Sequence, residues 1–210
     1  MLKPRFRGVS HFYAAFAAIA GGAVLLRDAP NPRAFTAAAI YAASLFLLFA
    51  ISALYHCPTW SEGPRLWLRR LDHAGIYSLI AGTMTPLAML LFEKKQGDFL
   101  LLVIWAAAAV GILLSVFWVH APKWASAILY VSMGCLAAPY VPHFVQRLGV
   151  QLTSILVAGG AIYFVGAVIY ARKRPNPIPG VFGYHEVFHL LVILAAMIHY
   201  FAIFQVIKRS

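Results

Sequence analysis

Long apolar runs, separated by short polar stretches, make up most of the chain. A membrane-spanning helix needs roughly 20 mainly apolar residues, and charged residues or Pro and Gly mark the ends of such runs. The pattern predicts seven spans, near 9–26, 34–56, 71–92, 99–119, 124–142, 150–170 and 184–206. The fifth run carries Pro139 and Pro142 near its end, where neighbouring groups must satisfy the carbonyls that proline leaves unbonded. We therefore expect an all-α membrane protein in which residues 1–210 form a single seven-transmembrane helix bundle.

The distribution of Lys and Arg between the two ends of these spans predicts the orientation of the bundle, because cytoplasmic loops are enriched in both residues. With the N-terminus inside, ten of them lie on the cytoplasmic side: Lys3, Arg5, Arg7, Arg65, Arg69, Arg70, Lys123, Arg172, Lys173 and Arg174. The opposite side then holds seven: Arg27, Arg33, Lys94, Lys95, Arg147, Lys208 and Arg209. The bias is modest and favours a cytoplasmic N-terminus and a C-terminus outside.

The composition agrees with a bilayer as the solvent, since 62% of the residues are hydrophobic and 11% are charged. Soluble domains have about half apolar and a quarter charged residues. The formal net charge of +11 could suggest a nucleic-acid partner, but the basic residues occur in small groups between apolar runs. Membrane lipids with anionic headgroups are the favoured partner, and we expect no nucleic-acid binding. The basic start and the apolar run from Val9 to Leu26 resemble a signal peptide, which we expect to be retained as the first helix.

Ionisable groups inside membrane helices cost free energy and are rarely present without a role. The predicted spans contain few of them: His56, Asp72, His73, His185, Glu186, His189 and His199. Under the topology above, the second span ends at the cytoplasmic face with His56, while the third and seventh begin there with Asp72 and His185. Residues that are far apart in sequence are thus expected to meet at one depth.

The spacing of His185 and His189 predicts a metal site. A separation of four residues puts both imidazoles on one helical face, one turn apart, so that two nitrogens can bind one ion. A third histidine from another helix would complete the ligand set. Imidazole suits zinc, copper, iron or nickel, and zinc is the usual occupant where no redox partner is evident. Three protein ligands leave a fourth position for water, which is typical of catalytic zinc.

The segment from His185 to His189 also matches the H-E-x-x-H motif of metalloproteases, in which the glutamate is the general base. Such enzymes take their third ligand from further along the chain. His199 is the next histidine, but at 1.5 Å per residue it lies roughly 15 Å along the helix from His189, too far for the same ion. The third ligand must come from upstream, where His56 is the best candidate, so an intramembrane protease is the less favoured hypothesis.

Two polar residues near this set are candidates for catalysis. Asp72 is placed to hold a metal-bound water or to act as its general base, although it could also serve as the N-cap of the third helix. Ser52 lies one turn before His56 and could orient the water or a substrate carbonyl, or only bond the carbonyl four residues back. Glu186 could act as a base, face the headgroups or hydrogen-bond to the ring of a ligand histidine.

The remaining histidines have simpler interpretations. We expect His199, in the middle of the last span, to be neutral and bonded to a neighbouring helix. His73 points about 100° away from Asp72 around the helix and is expected at the interface. His11, His120 and His143 lie near the ends of spans and suggest no specific role.

Three motifs in this chain resemble the signature of the hemolysin III proteins, the bacterial branch of the progestin and adiponectin receptor family: Ser52-x-x-Tyr55-His56, Leu71-Asp72-His73, and His185-x-x-x-His189 followed by His199. The resemblance covers nearly the whole chain. It implies a seven-helix protein with its N-terminus inside, zinc on His56, His185 and His189, and Ser52 and Asp72 beside the metal. The wider superfamily includes alkaline ceramidases, so the resemblance also implies a site that hydrolyses lipid amides, in the bacterial inner membrane.

Two functions follow from these expectations. The first is a zinc-dependent hydrolase acting on a lipid amide or ester that enters between the helices. The second is a non-enzymatic receptor or regulator of membrane lipid state, in which zinc is structural. A hemolysin pore has little support because no row of polar residues lines any span, and a retinal protein is disfavoured because the last span has no lysine in its interior. The lipid, the occurrence of turnover and the oligomeric state are left open by the sequence.

Overall fold

The computed structural model describes Pro4 and residues 6–210, which form a helical bundle without β-strands. The helices in chain order are α1 (Val9–Arg27), α2 (Pro32–His56), α3 (Glu62–Leu91), α4 (Lys94–Phe117), α5 (Lys123–Cys135), α6 (Val141–Arg172) and α7 (Tyr184–Lys208). A single 3-10 turn, Ala138–Tyr140, connects α5 to α6.

The outer surface of the bundle is apolar. Six stretches of the described chain are long and apolar enough to cross a membrane: α1, α2, α3, α4, α7 and the stretch Lys123–Arg172, which contains both α5 and α6. Large hydrophobic side chains such as Phe16, Leu102, Phe117 and Met197 are exposed on the outside. An apolar exterior of this extent requires lipid as its surroundings. The chain is therefore an all-α integral membrane protein.

The segment from α5 to the start of α6 runs from one end of the bundle to the other. Lys123 begins α5 beside the start of α7, where its Nζ donates to the hydroxyl of Tyr184 at 2.5 Å. At the opposite end, Nε2 of His143 lies 3.0 Å from the carbonyl of Leu91, the last residue of α3. Lys123 and His143 thus lie at opposite ends of α3. The end where α1 and α7 begin and α2 ends is called the site end below.

The helix bounds differ from the predicted spans where polar turns or prolines occur. α3 begins at Glu62, well before the predicted start at 71. The hydropathy pattern did not mark these first turns because they are mostly exposed and polar, although they are helical. α5 ends at Cys135 and not near 142, since Pro139 and Pro142 interrupt the helical hydrogen bonding there. α6 begins at Val141 but is broken at Gly149, whose φ of 81° and ψ of 166° are not helical. A residue with a side chain would be strained in that conformation.

Helix α3 lies at the centre of the bundle and packs against α2 and α4, with α7 closing the bundle against α1, α3 and α6. Small residues allow the close approach. A Cβ added at Gly82 would lie 2.0 Å from Oγ of Ser44 on α2, so only glycine fits this crossing of α2 and α3. This packing fixes the end of α2 beside α3 and α7, which is what positions the polar residues at the site end.

Candidate metal centre

Three histidines from two helices meet at the site end. His56 is the last residue of α2, and His185 and His189 lie one turn apart at the start of α7. Their potential ligand atoms all lie within 4.8 Å of one another, and the Nε2 atoms of His56 and His185 are 3.1 Å apart. All three side chains are buried. The structure thus brings together the three residues that the sequence predicted as metal ligands.

The distance between two of these nitrogens fits a shared metal ion. Nitrogens bound tetrahedrally to zinc at 2.0–2.1 Å lie about 3.3 Å from each other, close to the 3.1 Å between the two Nε2 atoms. Buried neutral imidazoles are the form of histidine that coordinates metals. The group could therefore hold a metal ion.

Asp72 and Ser52 line the same cavity as His185 and His189. Oδ2 of Asp72 lies 3.6 Å from Nε2 of His56, and the Asp72 side chain is 14% exposed. Because α3 begins at Glu62 after Ser61, Asp72 lies inside the helix and is not its N-cap. Ser52 is one turn before His56 on α2 and is buried. The carboxylate thus faces the histidines, and the capping interpretation of Asp72 is wrong.

The cavity beside the histidines is small, with a volume of about 30 Å³. That space can hold bound water, but it is far below the roughly 300–1,000 Å³ of pockets that take larger ligands. Apolar and aromatic residues of five helices form its remaining walls, namely Leu48, Ile76, Tyr130, Tyr170, Phe188 and Val192. A larger ligand would require these helices to separate, and α5, which carries Tyr130, packs only lightly against α3 and α4.

Glu186, the acidic residue of the H-E-x-x-H match, is engaged elsewhere. Its Oε1 forms an ion pair with Nε of Arg7, and its Oε2 accepts a hydrogen bond from the backbone N–H of Gly183 at 2.8 Å. The second bond caps the start of α7. Both oxygens therefore have a structural partner, and Glu186 is not positioned as the free base that the protease motif requires.

Two further histidines, His199 and His73, lie outside the group of three. Nε2 of His199 lies 2.9 Å from the carbonyl of Leu156 on α6, so the expected bond to a neighbouring helix is confirmed. His73 was expected at the interface, but it lines the cavity together with Asp72.

His11 is the site residue that the sequence analysis missed. It lies near the start of α1, is 3% exposed and lines the cavity. Its ring stacks on that of His189, with centroids 3.8 Å apart and planes at 5°. The sequence did contain a signal for this residue. The first and seventh predicted spans begin on the same side of the membrane, so His11 is expected at about the same depth as His56, His185 and His189.

Arg7 and Gly8, directly before α1, lie against the site. Gly8 has a φ of 84°, and a Cβ built there would lie 2.6 Å from Cβ of His56. Sγ of Cys57 lies 3.9 Å from the carbonyl of Arg7, while the Arg7 side chain pairs with Glu186. Arg7 and Gly8 thus contact the ends of both helices that carry the histidines.

The comparisons with known proteins agree with this arrangement. The family model described as "Haemolysin-III related" matches residues 1–200. The chain belongs to the haemolysin-III family. Hemolysin-3 of Bacillus cereus is 33% identical over 178 residues, which are 84% of this chain and 78% of that protein. The monocyte to macrophage differentiation factor of Homo sapiens is 29% identical, covering 96% of this chain and 83% of its own length. An ADIPOR-like receptor of Eremothecium gossypii is 28% identical, over 78% of this chain and 57% of that protein. The resemblance to hemolysin III and adiponectin-receptor-like proteins is thereby confirmed.

Proposed function

We propose that this haemolysin-III protein is a zinc-dependent hydrolase that cleaves an amide or ester bond of a membrane lipid. The observation that carries the proposal is the buried group of His56, His185 and His189 with the Asp72 carboxylate 3.6 Å from Nε2 of His56. Three neutral nitrogen ligands with a neighbouring carboxylate are the donor set of hydrolytic zinc sites.

In this proposal each residue has a distinct task. His56, His185 and His189 hold the ion through ring nitrogens. Bound zinc lowers the pKa of a coordinated water to about 7 and polarises a carbonyl. Asp72 orients the attacking water and accepts its proton, and Ser52 hydrogen-bonds to that water or to the substrate carbonyl. The apolar cavity walls exclude bulk water, which strengthens these polar interactions.

We further propose a single seven-transmembrane domain with its N-terminus in the cytoplasm and its C-terminus outside, located in the bacterial inner membrane. The bias of Lys and Arg in the sequence supports this orientation. The site end would then lie at the cytoplasmic edge, where a lipid could reach it laterally from the bilayer. Membrane lipids are the proposed partner.

The test combines metal analysis with a hydrolysis assay. Protein purified without chelators should contain about one zinc per chain, and His56→Ala should lose it. Wild type should release fatty acid from at least one member of a panel of lipid amides and esters in bilayers, while His56→Ala should release none. Zinc-free wild-type protein would contradict the metal assignment, and zinc-loaded protein without activity on the panel would contradict the hydrolase.

The second candidate is a non-enzymatic receptor or regulator of membrane lipid state with structural zinc. The small cavity of about 30 Å³ beside the histidines favours it, because pockets that hold larger ligands usually measure about 300–1,000 Å³. In that case the zinc-loaded protein would be stable but inactive, and removal of zinc would lower stability alone.

A further inference from the structure

His11 has buried polar atoms that the proposed mechanism does not use. The side chain is 3% exposed, and neither ring nitrogen makes a hydrogen bond of good geometry among the described residues, although the ring approaches the backbone of His189. A buried polar group without a partner is unfavourable, because it has given up its hydrogen bonds to water. Since the backbone of His189 can satisfy at most one ring nitrogen, the other is left for a partner that enters from the cavity.

The stacking geometry excludes His11 as a fourth ligand of the same ion. A ring nitrogen binds a metal with a lone pair that lies in the plane of its ring. The rings of His11 and His189 are parallel within 5°, with centroids 3.8 Å apart. An ion lying in the plane of His189 is thus more than about 3 Å out of the plane of His11, whereas zinc–nitrogen bonds are 2.0–2.1 Å.

The surroundings of His11 hold its ring in place. One face stacks on His189, and the ring also contacts Phe49 edge-to-face with centroids 5.0 Å apart. The ring therefore presents its nitrogens at a fixed position beside the metal ligands, next to the cavity that Asp72 and Ser52 also line. A neutral imidazole offers one donor and one acceptor.

We propose that His11 binds the acyl carbonyl of a lipid by donating a hydrogen bond from a ring nitrogen, and that it is a substrate-positioning residue and not a metal ligand. This inference rests on the proposed lipid hydrolase for its ligand class. The hydrogen bond to the carbonyl is donated by His11 itself, so the inference applies with or without bound metal.

The experiment measures binding of oleamide, a neutral acyl amide, to the full chain in nanodiscs, with empty nanodiscs as the blank. Binding is measured before and after removal of metal with a chelator. Octadecene, which has a similar chain and no carbonyl, is the second probe. His11→Phe keeps an aromatic ring for the contacts with His189 and Phe49 but removes both nitrogens, and His11→Gln restores a donor.

We expect His11→Phe to weaken oleamide binding about three- to tenfold, the effect of one neutral hydrogen bond, and to leave octadecene binding unchanged. His11→Gln should recover part of the loss, and metal content should be that of wild type in both variants. The matched control is His143→Phe at the opposite end, where the His143 ring also stacks on an aromatic ring, that of Phe92, with centroids 4.1 Å apart. It should bind both probes like wild type.

Equal oleamide binding by wild type and His11→Phe, or no saturable binding by wild type, would overturn the proposal. Loss of metal in both folded His11 variants would overturn it as well, because His11 would then be needed for the metal site. Oleamide binding that depends on His11 in a protein with neither zinc nor hydrolysis would support the inference while contradicting the proposed hydrolase.

Discussion

Glu186 on α7 forms a largely buried ion pair with Arg7, which lies two residues before α1, so Arg7 is held against the helix that carries two of the three clustered histidines. The side chains are 3% and 21% exposed, respectively. Pairs in such positions cost more to break than surface salt bridges, because removal of one partner leaves a charge without compensation.

Replacement of Arg7 by Gln should therefore destabilise the protein, by about 1–3 kcal/mol. Glu186→Gln should cost less, since its amide oxygen can still accept the bond from Gly183 N–H. The double variant should be less destabilised than the sum of the two, as measured in a thermal or denaturant double-mutant cycle. Additive effects would show that the two charges do not interact. Lipid hydrolysis that survives in Glu186→Gln would also exclude Glu186 as a general base.

Removal of metal should lower thermal stability, because the histidine cluster joins α2 to α7 and binding free energy adds to that of the folded state. A chelator should lower the melting temperature of wild type, and zinc should restore it. His189→Ala should melt at the lower temperature with or without chelator. A melting temperature that is unchanged in both would show that the site does not couple the helices.

Asp72→Asn should retain zinc and lose hydrolysis. A carboxylate that only orients or deprotonates the attacking water contributes more to the reaction than to ion affinity, and loss of a general base typically costs 10²–10⁴-fold in rate. Zinc content and fatty-acid release are measured on the same preparation, with Asp98→Asn, an exposed carboxylate on α4, as the control. Wild-type activity in Asp72→Asn would remove this residue from the mechanism.

The features of this protein that could be predicted are those that local sequence patterns determine. The spacing of His185 and His189 and the depth of His56 were readable from helical periodicity and from the alternation of spans, and the structure brings the three together. The stacking of His11 on His189 depends on how α1 packs against α7, and no local sequence pattern determines that packing. The early start of α3 was missed for a similar reason, because hydropathy marks the apolar run and not the end of the helix.

Gly159→Ala should destabilise the contact between α6 and α7. A Cβ at this position would lie 2.3 Å from Cδ2 of His199, whose Nε2 is held by the Leu156 carbonyl 2.9 Å away. Since the ring cannot shift without loss of that bond, we expect a cost of about 1–3 kcal/mol. Gly160→Ala is the matched control, because nothing lies within 4 Å of its Cβ. It should be neutral or slightly stabilising, and equal thermal stability of the two variants would contradict this packing.

Gly8→Ala should weaken metal binding through the backbone. Gly8 has a φ of 84°, which costs a residue with a side chain roughly 1 kcal/mol, and its added Cβ would lie 2.6 Å from Cβ of His56. Gly180→Ala is a suitable control because it has a similar φ of 79° but nothing within 4 Å. The cost of a positive φ should therefore apply to both variants, but only Gly8→Ala should displace His56.

We expect zinc affinity, measured by competition with a chromogenic chelator, to fall about 10-fold or more in Gly8→Ala and to remain at the wild-type value in Gly180→Ala. A fall of that size corresponds to about 1.4 kcal/mol, which is within the range for forcing extra atoms into a packed site. If both variants kept wild-type affinity, the segment before α1 would not hold His56 in place. Equal losses in both would instead assign the effect to backbone strain and not to contact with the ligand.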